Sequence, residues 1–239
     1  MVAHLETFAM SLDRRRFVGA ASIGLSLGAT SLILPAHVAA TEASGDLGAQ
    51  SPPLLVVDKP QTPEKFAPTE DNILGPYHRR GAPYRAKITP PLEPGEPLVV
   101  HGHVWGQDTR KPLAGAVLEV WQANAAGRYD NDDPSAPPKP GVFVNRARLV
   151  CDENGYYEFE TIKPGRYKVG PELWRPAHIH YMIAAPGYKT LVTQLYFKGD
   201  PYNESDDFIK PSLIIDPTVV KVREAQVQLG RFDIVLRKA

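Results

Sequence analysis

The chain has 239 residues, with 27 basic and 27 acidic side chains and 43% hydrophobic residues. No charge excess draws it to nucleic acid or an anionic membrane, so the expected partner is a small molecule. A single cysteine, Cys151, excludes an intramolecular disulfide framework, and 24 prolines disfavour long helices because proline removes a backbone donor and fixes φ.

In chain order, Asp13-Arg14-Arg15-Arg16-Phe17-Val18 precedes an apolar, small-residue run from Gly19 to Leu34, then Pro35 and Val38-Ala39-Ala40. That order predicts a signal peptide over residues 1–40, with cleavage after Ala40. The adjacent arginines followed by Phe17-Val18 are similar to the twin-arginine signal, which carries already folded proteins. A periplasmic or extracellular location is expected, with the cofactor inserted before export and no stable membrane association afterwards. Residues 41–68 are rich in Pro, Ser, Gly, Ala and acidic residues, and read as a linker or extended arm. Residues 69–239 form the expected folded domain.

Leu98 to Trp105, a turn over Gly106 to Pro112, and Ala116 to Trp121 have the signature of a hairpin. Ala147 to Cys151, the turn Asp152-Glu153-Asn154-Gly155 and Tyr156 to Ile162 repeat the pattern. So do His178 to Ala185, Pro186-Gly187 and Thr190 to Phe197, and Gly230 to Leu236 is the last strand. The prediction is an all-β fold: a two-sheet β-sandwich of short, mostly antiparallel strands with long loops. Pro217 to Leu229 is the one helix candidate, read as a single short helix or a turn. Cys151 follows Leu149-Val150 in a strand-like run and reads as a small buried hydrophobe.

Two His-x-His pairs occur, His101/His103 and His178/His180. Residues two apart on a strand share a face, so either pair could offer two imidazoles to one metal, and spacing does not choose between them. Context does. Arg175 and Pro176 lead into His178, and two glycine turns upstream carry tyrosines: Gly127-Arg128-Tyr129 and Pro164-Gly165-Arg166-Tyr167. Tyrosinate is a hard anionic donor suited to iron(III), whereas a cysteine-built zinc site is impossible with one cysteine. His101 and His103 read as ordinary strand residues.

These segments resemble the intradiol ring-cleavage dioxygenases, and within them the protocatechuate 3,4-dioxygenase type. The matching stretches are Gly75-Pro76-Tyr77, Glu119 through Asn124 with Gly127-Arg128-Tyr129, Asp152 through Tyr167, Trp174 through His180, Thr193 through Phe197, and Arg231 through Leu236. The resemblance implies one Fe(3+) per chain, held by Tyr129, Tyr167, His178 and His180. It makes Tyr167 the axial ligand that leaves when substrate binds. It further implies that Arg175 stabilises charge developing on the ring and that Gln194 orients substrate or oxygen by hydrogen bonding. Substrate and co-substrate would be a catechol-type molecule and O2, the product a cis,cis-muconate, and the assembly a homo-oligomer. Two features depart from the protocatechuate type: Lys168-Val169 stands where an aromatic is expected, and the segment between Tyr129 and Arg146 is short and rich in Asp and Pro. Lys168, Arg128 and Arg146 are candidates to pair with an acidic ring substituent, though each reads more readily as a solvent-facing charge. Two other readings fit parts of the sequence: a secreted sandwich module that stacks Trp105, Trp121 or Trp174 on sugars or aromatic polymers, and a zinc hydrolase built on both histidine pairs and Asp108.

Overall fold

The computed structural model describes residues 62–63 and 66–239. The expected signal peptide and most of the arm lie outside the described residues. Twelve strands follow in order: β1 (Pro97–Gly106), β2 (Val117–Gln122), β3 (Arg146–Val150), β4 (Tyr156–Ile162), β5 (Tyr167–Lys168), β6 (Trp174–Arg175), β7 (His178–Ala184), β8 (Leu191–Phe197), β9 (Ile214–Ile215), β10 (Thr218–Val222), β11 (Ala225–Arg231) and β12 (Ile234–Leu236).

One sheet runs β10-β11-β1-β12 with β4 also paired to β1, and the other runs β3-β2-β7-β8-β9. The two sheets pack face to face because each strand alternates. Leu98, Val100 and Val104 of β1 and Tyr157 and Phe159 of β4 point inward, against Leu118 and Val120 of β2 and Ile179, Tyr181 and Ile183 of β7. Burying each such large side chain contributes about 1.5–3 kcal/mol. Buried Gln122 satisfies its amide at the edge of this interior: it donates to the Ile162 carbonyl at 2.9 Å and accepts from the Thr161 hydroxyl at 2.9 Å. The all-β sandwich is as expected. Its pairing is mixed, since β1–β11, β1–β12 and β8–β9 are parallel.

Three local expectations are corrected. β1 and β2 are not a hairpin. The turn does close, with Gly106 donating to the Lys111 carbonyl at 2.9 Å. Both edges of β1 are, however, taken by β4 on one side and β11 and β12 on the other, so β2 passes to the facing sheet. β3 and β4 separate between the sheets in the same way, whereas β7 and β8 do form a hairpin.

The helix candidate, Pro217 to Leu229, is a β-hairpin, β10 and β11. Thr-Val-Val-Lys-Val is β-branched and fits a pleated strand better than a helix, and Arg223 makes the turn at φ 54°. The last strand breaks at Phe232-Asp233, where the Asp233 carboxylate accepts the His103 backbone N–H at 2.9 Å.

Candidate active site

His178 and His180 lie on the face of β7 turned away from the sandwich interior, since Ile179 and Tyr181 between and beyond them fill the core. Strand register sets Trp121 of β2 on one side of His180 and Gln194 of β8 on the other, with Tyr196 beside His178. Loops roof this face. The two tyrosine turns reach it together because their glycines allow backbone to touch backbone. A Cβ on Gly127 would lie 2.1 Å from the Arg166 carbonyl oxygen, and one on Gly165 would lie 2.2 Å from that of Ala125. Gly127 also has φ +77°, and Gly165 donates to the Asn124 carbonyl at 2.8 Å. Tyr129 and Tyr167 are thereby brought edge to face, with ring centres 5.6 Å apart.

The four expected ligands converge. The Tyr129 hydroxyl is 3.4 Å from His178 Nε2, and His178 Nε2 is 3.2 Å from His180 Nε2. The Tyr167 ring centre is 5.6 Å from that of His178. His178 Nδ1 lies 2.7 Å from the Pro176 carbonyl, which can only accept, so Nδ1 carries the proton and the Nε2 lone pair faces the site. His180 is held by shape instead. Trp121 lies flat on its ring at 4.8 Å and 3°, and a Cβ on Gly75 would stand 3.0 Å from its Cε1. Its Nδ1 is buried without a hydrogen-bond partner.

Burial pushes His178 down to about 3, assisted by the Arg175 charge, and pushes His180 well below its usual range, so both rings are neutral. Burial also raises Tyr129 well above a free phenol, with Tyr167 adding to the effect, and burial raises Tyr167. Neither becomes a phenolate unless a cation in the site compensates the charge. Two neutral imidazole nitrogens and two phenol oxygens around one point are a donor set that fits a hard trivalent ion such as iron(III). Among the described residues no group of three His, Cys, Asp or Glu could hold a metal, so such a site depends on the tyrosines.

Arg175 stands directly opposite Tyr167 in the β5–β6 ribbon. Its Nε donates to Asp206, and its Nη2 donates to Gln194 Oε1 at 2.8 Å and to the Tyr196 hydroxyl at 3.2 Å. Gln194 is fully buried, and its Nε2 donates to the Ile73 carbonyl at 3.0 Å. Its amide therefore props Arg175 against the Ile73 backbone.

Asp206, Tyr196, Phe208 and Tyr77 join the site beyond the residues expected to act there. Tyr77 stacks on Tyr129 at 4.2 Å and sits in the quoted Gly75-Pro76-Tyr77 segment, a signal that was legible. Asp206 lies 31 residues from Arg175 with no motif linking them.

Of the three candidate cations, none reaches the site's cavity. Arg128 pairs with Asp132, and Lys168 donates to the Pro171 carbonyl and lies over Trp174. Arg146, read as solvent-facing, is 1% exposed and bonds Asp130, Asn131 and the Tyr77 carbonyl. His101 and His103 are on the other sheet, beside Tyr156, so the two histidine pairs do not form one zinc site. Trp105 and Trp121 are buried and Trp174 is stacked on Tyr202, which removes the exposed stacking platform.

The cavity at the mouth of the site holds about 210 Å³ and includes Tyr167, Tyr77 and Arg175 in its walls. Larger hollows of about 490 Å³ beside β10 and β11, about 680 Å³ near Gly165 and about 310 Å³ near Thr69 contain neither histidine.

Residues 73–238 match the Dioxygenase family. The chain is 40% identical over 165 residues to a 6-chlorohydroxyquinol 1,2-dioxygenase of Cupriavidus pinatubonensis, a match spanning 62% of this chain and 58% of that relative. It is 38% identical to the protocatechuate 3,4-dioxygenase beta chain of Burkholderia cepacia, over 73% of this chain and 78% of the other. The fold is similar to the crystal structure of 3-chlorocatechol 1,2-dioxygenase from Rhodococcus opacus 1CP, with a TM-score of 0.66 and 30% identity over 72% and 73% of the two chains.

Proposed function

The chain belongs to the intradiol ring-cleavage dioxygenases, and from that premise we propose that it opens the ring of a catechol with O2, using one iron(III) held by Tyr129, Tyr167, His178 and His180. The observation that carries the reading is the convergence of those four side chains, with both imidazole nitrogens and the Tyr129 oxygen within 3.4 Å of a neighbour in the set. Iron(III), when bound, supplies the Lewis acidity that gathers the two catechol oxygens and makes the ring reactive toward O2.

The chain's own residues divide the remaining work. Pro176 fixes the tautomer of His178, while Trp121 and Gly75 hold His180 by packing, so the two nitrogen donors are set before anything binds. Tyr129 is buried and stacked on Tyr77, hence fixed. Tyr167 is half-buried at the cavity wall, the one donor of the four with room to swing out. With a cation in the site its hydroxyl would be held as a phenolate, and it would then be the base that accepts a catechol hydroxyl proton, which would keep the charge of the site balanced. Arg175, opposite Tyr167, places positive charge where the ring becomes electron-rich. The product of cleavage between the hydroxylated carbons is a cis,cis-muconate.

The test is oxygen uptake by iron-loaded protein supplied with catechol, with the product identified. Consumption of one O2 per catechol and a muconate product are expected; consumption with a ring-opened aldehyde, or no consumption, contradicts the proposal. Export is proposed on the sequence of Arg14 through Val18 and the apolar run after it. Replacing Arg14, Arg15 and Arg16 with lysine is expected to retain the protein in the cytoplasm, and unchanged export would refute that route.

A further inference from the structure

Tyr167 sits on a ribbon too short to hold itself. β5 and β6 have two residues each, and an isolated pair of strands is marginal in water even when longer. The turn before the ribbon is gripped on the Tyr129 side by the close approach of Gly165 to the Ala125 carbonyl. On the His178 side the grip is a single carboxylate. Asp200 Oδ2 accepts Arg166 Nε at 2.8 Å and the Ala177 backbone N–H at 3.1 Å. One oxygen thereby joins the residue before Tyr167 to the residue before His178.

Asp200 is itself a fixed point. Its loop leaves the end of β8, where Asn203 Nδ2 donates to the Phe197 carbonyl at 2.9 Å, and its Oδ1 accepts the Tyr202 N–H at 3.1 Å. Tyr202 stacks on Trp174 of β6 with ring centres 5.4 Å apart. The Asp200 side chain is 2% exposed and that of Arg166 45%. Capping the loop needs only the Tyr202 contact, so the bridge from Arg166 to Ala177 goes beyond what the loop requires. An ion pair with one partner half exposed contributes little to global stability. Its consequence is therefore expected in where Tyr167 stands, more than in how tightly the domain folds.

Resting on the ring-cleavage reading, we propose that Asp200 is a positioning residue for Tyr167: its buried carboxylate clasps the Tyr167 turn to the start of β7 and sets how far that phenol stands from His178. The clasp holds the backbone and leaves the Tyr167 side chain free to swing.

The experiment compares wild type with two variants of the exposed partner. Arg166→Met keeps the aliphatic stem and removes the donor; Arg166→Gln places an amide nitrogen where Nε was. Both leave Asp200 bonded to Ala177 and Tyr202, so the loop keeps its own contacts. Arg166→Met is expected to lower iron affinity about tenfold, the low end of the loss typical of an outer-shell partner, and to weaken the phenolate-to-iron band of the resting protein. The spectrum of its anaerobic catechol complex is expected to match wild type, because Tyr167 has already left in that complex. Arg166→Gln is expected to recover the resting band. A merely destabilised fold would alter both spectra and gain nothing from glutamine. In metal-free protein, the amides of β5 and β6 are expected to exchange with solvent about tenfold faster in Arg166→Met, with β7 unchanged. An unchanged resting band and iron affinity in well-folded Arg166→Met overturns the proposal, and so does a loss that Arg166→Gln fails to restore. Failure of the ring-cleavage reading is distinguishable: wild-type protein that takes up no iron sinks that reading, while the exchange rates of the metal-free variants still decide the clasp, and unchanged exchange there overturns it.

Discussion

His180 is fixed by surfaces, whereas His178 is fixed by a hydrogen bond, and Tyr167 is the least confined of the four site side chains. These differences give each residue its own signature on substitution. Tyr167→Phe is expected to keep iron, since three donors remain, while turnover falls at least about tenfold because the departing base is lost. His178→Ala is expected to lose the metal, lowering affinity more than the 10–100-fold typical of an outer-shell partner. Metal analysis of the two purified variants, beside oxygen uptake, checks both; equal iron contents in the two would contradict the assignment. Cys151, buried and pushed up to about 12 by that burial, takes no part in this chemistry. In the sequence, the histidines were legible as a strand pair and the tyrosines only through resemblance, because a Gly-Arg-Tyr turn alone does not say where its phenol points. Asp206 was illegible: its partner is set by a loop closing over 31 residues.

At the scale of elements, the site depends on the contact between two glycine turns, more than on any one strand. Gly165→Ala drives a methyl group into the Ala125 carbonyl. A cost of about 1–3 kcal/mol is expected, which lowers Tm by about 2–4 °C per kcal/mol, with weakened iron binding because Tyr129 and Tyr167 separate. Thermal denaturation with metal analysis measures both, and a variant with native Tm and full iron would show that the turns do not carry the site. Strand positions were largely readable from alternation: Tyr156–Ile162 was placed to the residue, and β7 and β8 to within one. Partnership was not. Alternation fixes which side chains face the core, but it cannot say whether a strand after a tight turn stays in its sheet, and β1 had no free edge for β2. The segment Pro217 to Leu229 misled for another reason, since β10 is mostly exposed, β11 is only partly buried, and neither shows the alternation that marks a half-buried strand.

For the molecule as a whole, the sandwich provides a rigid sheet whose inner face is core and whose outer face is chemistry. Ile179 and Tyr181 anchor β7 in the interior so that His178 and His180 stand fixed on the other side. Loops from four places in the chain, carrying Gly75, Tyr129, Tyr167 and Asp206, close over that face. The fold class followed from proline content and short alternating runs, because these are local properties. The roof did not, because it is assembled from distant loops whose meeting depends on glycine contacts and buried ion pairs. On the proposed function, this face holds iron(III) through two phenolates and two imidazoles. That assignment is tested most directly by metal content together with the visible spectrum of the purified protein. About one iron per chain and a phenolate-to-iron charge-transfer band that changes when catechol is added without oxygen are the predicted result. A colourless protein that refuses iron, or binds zinc in its place with no such band, would contradict the account.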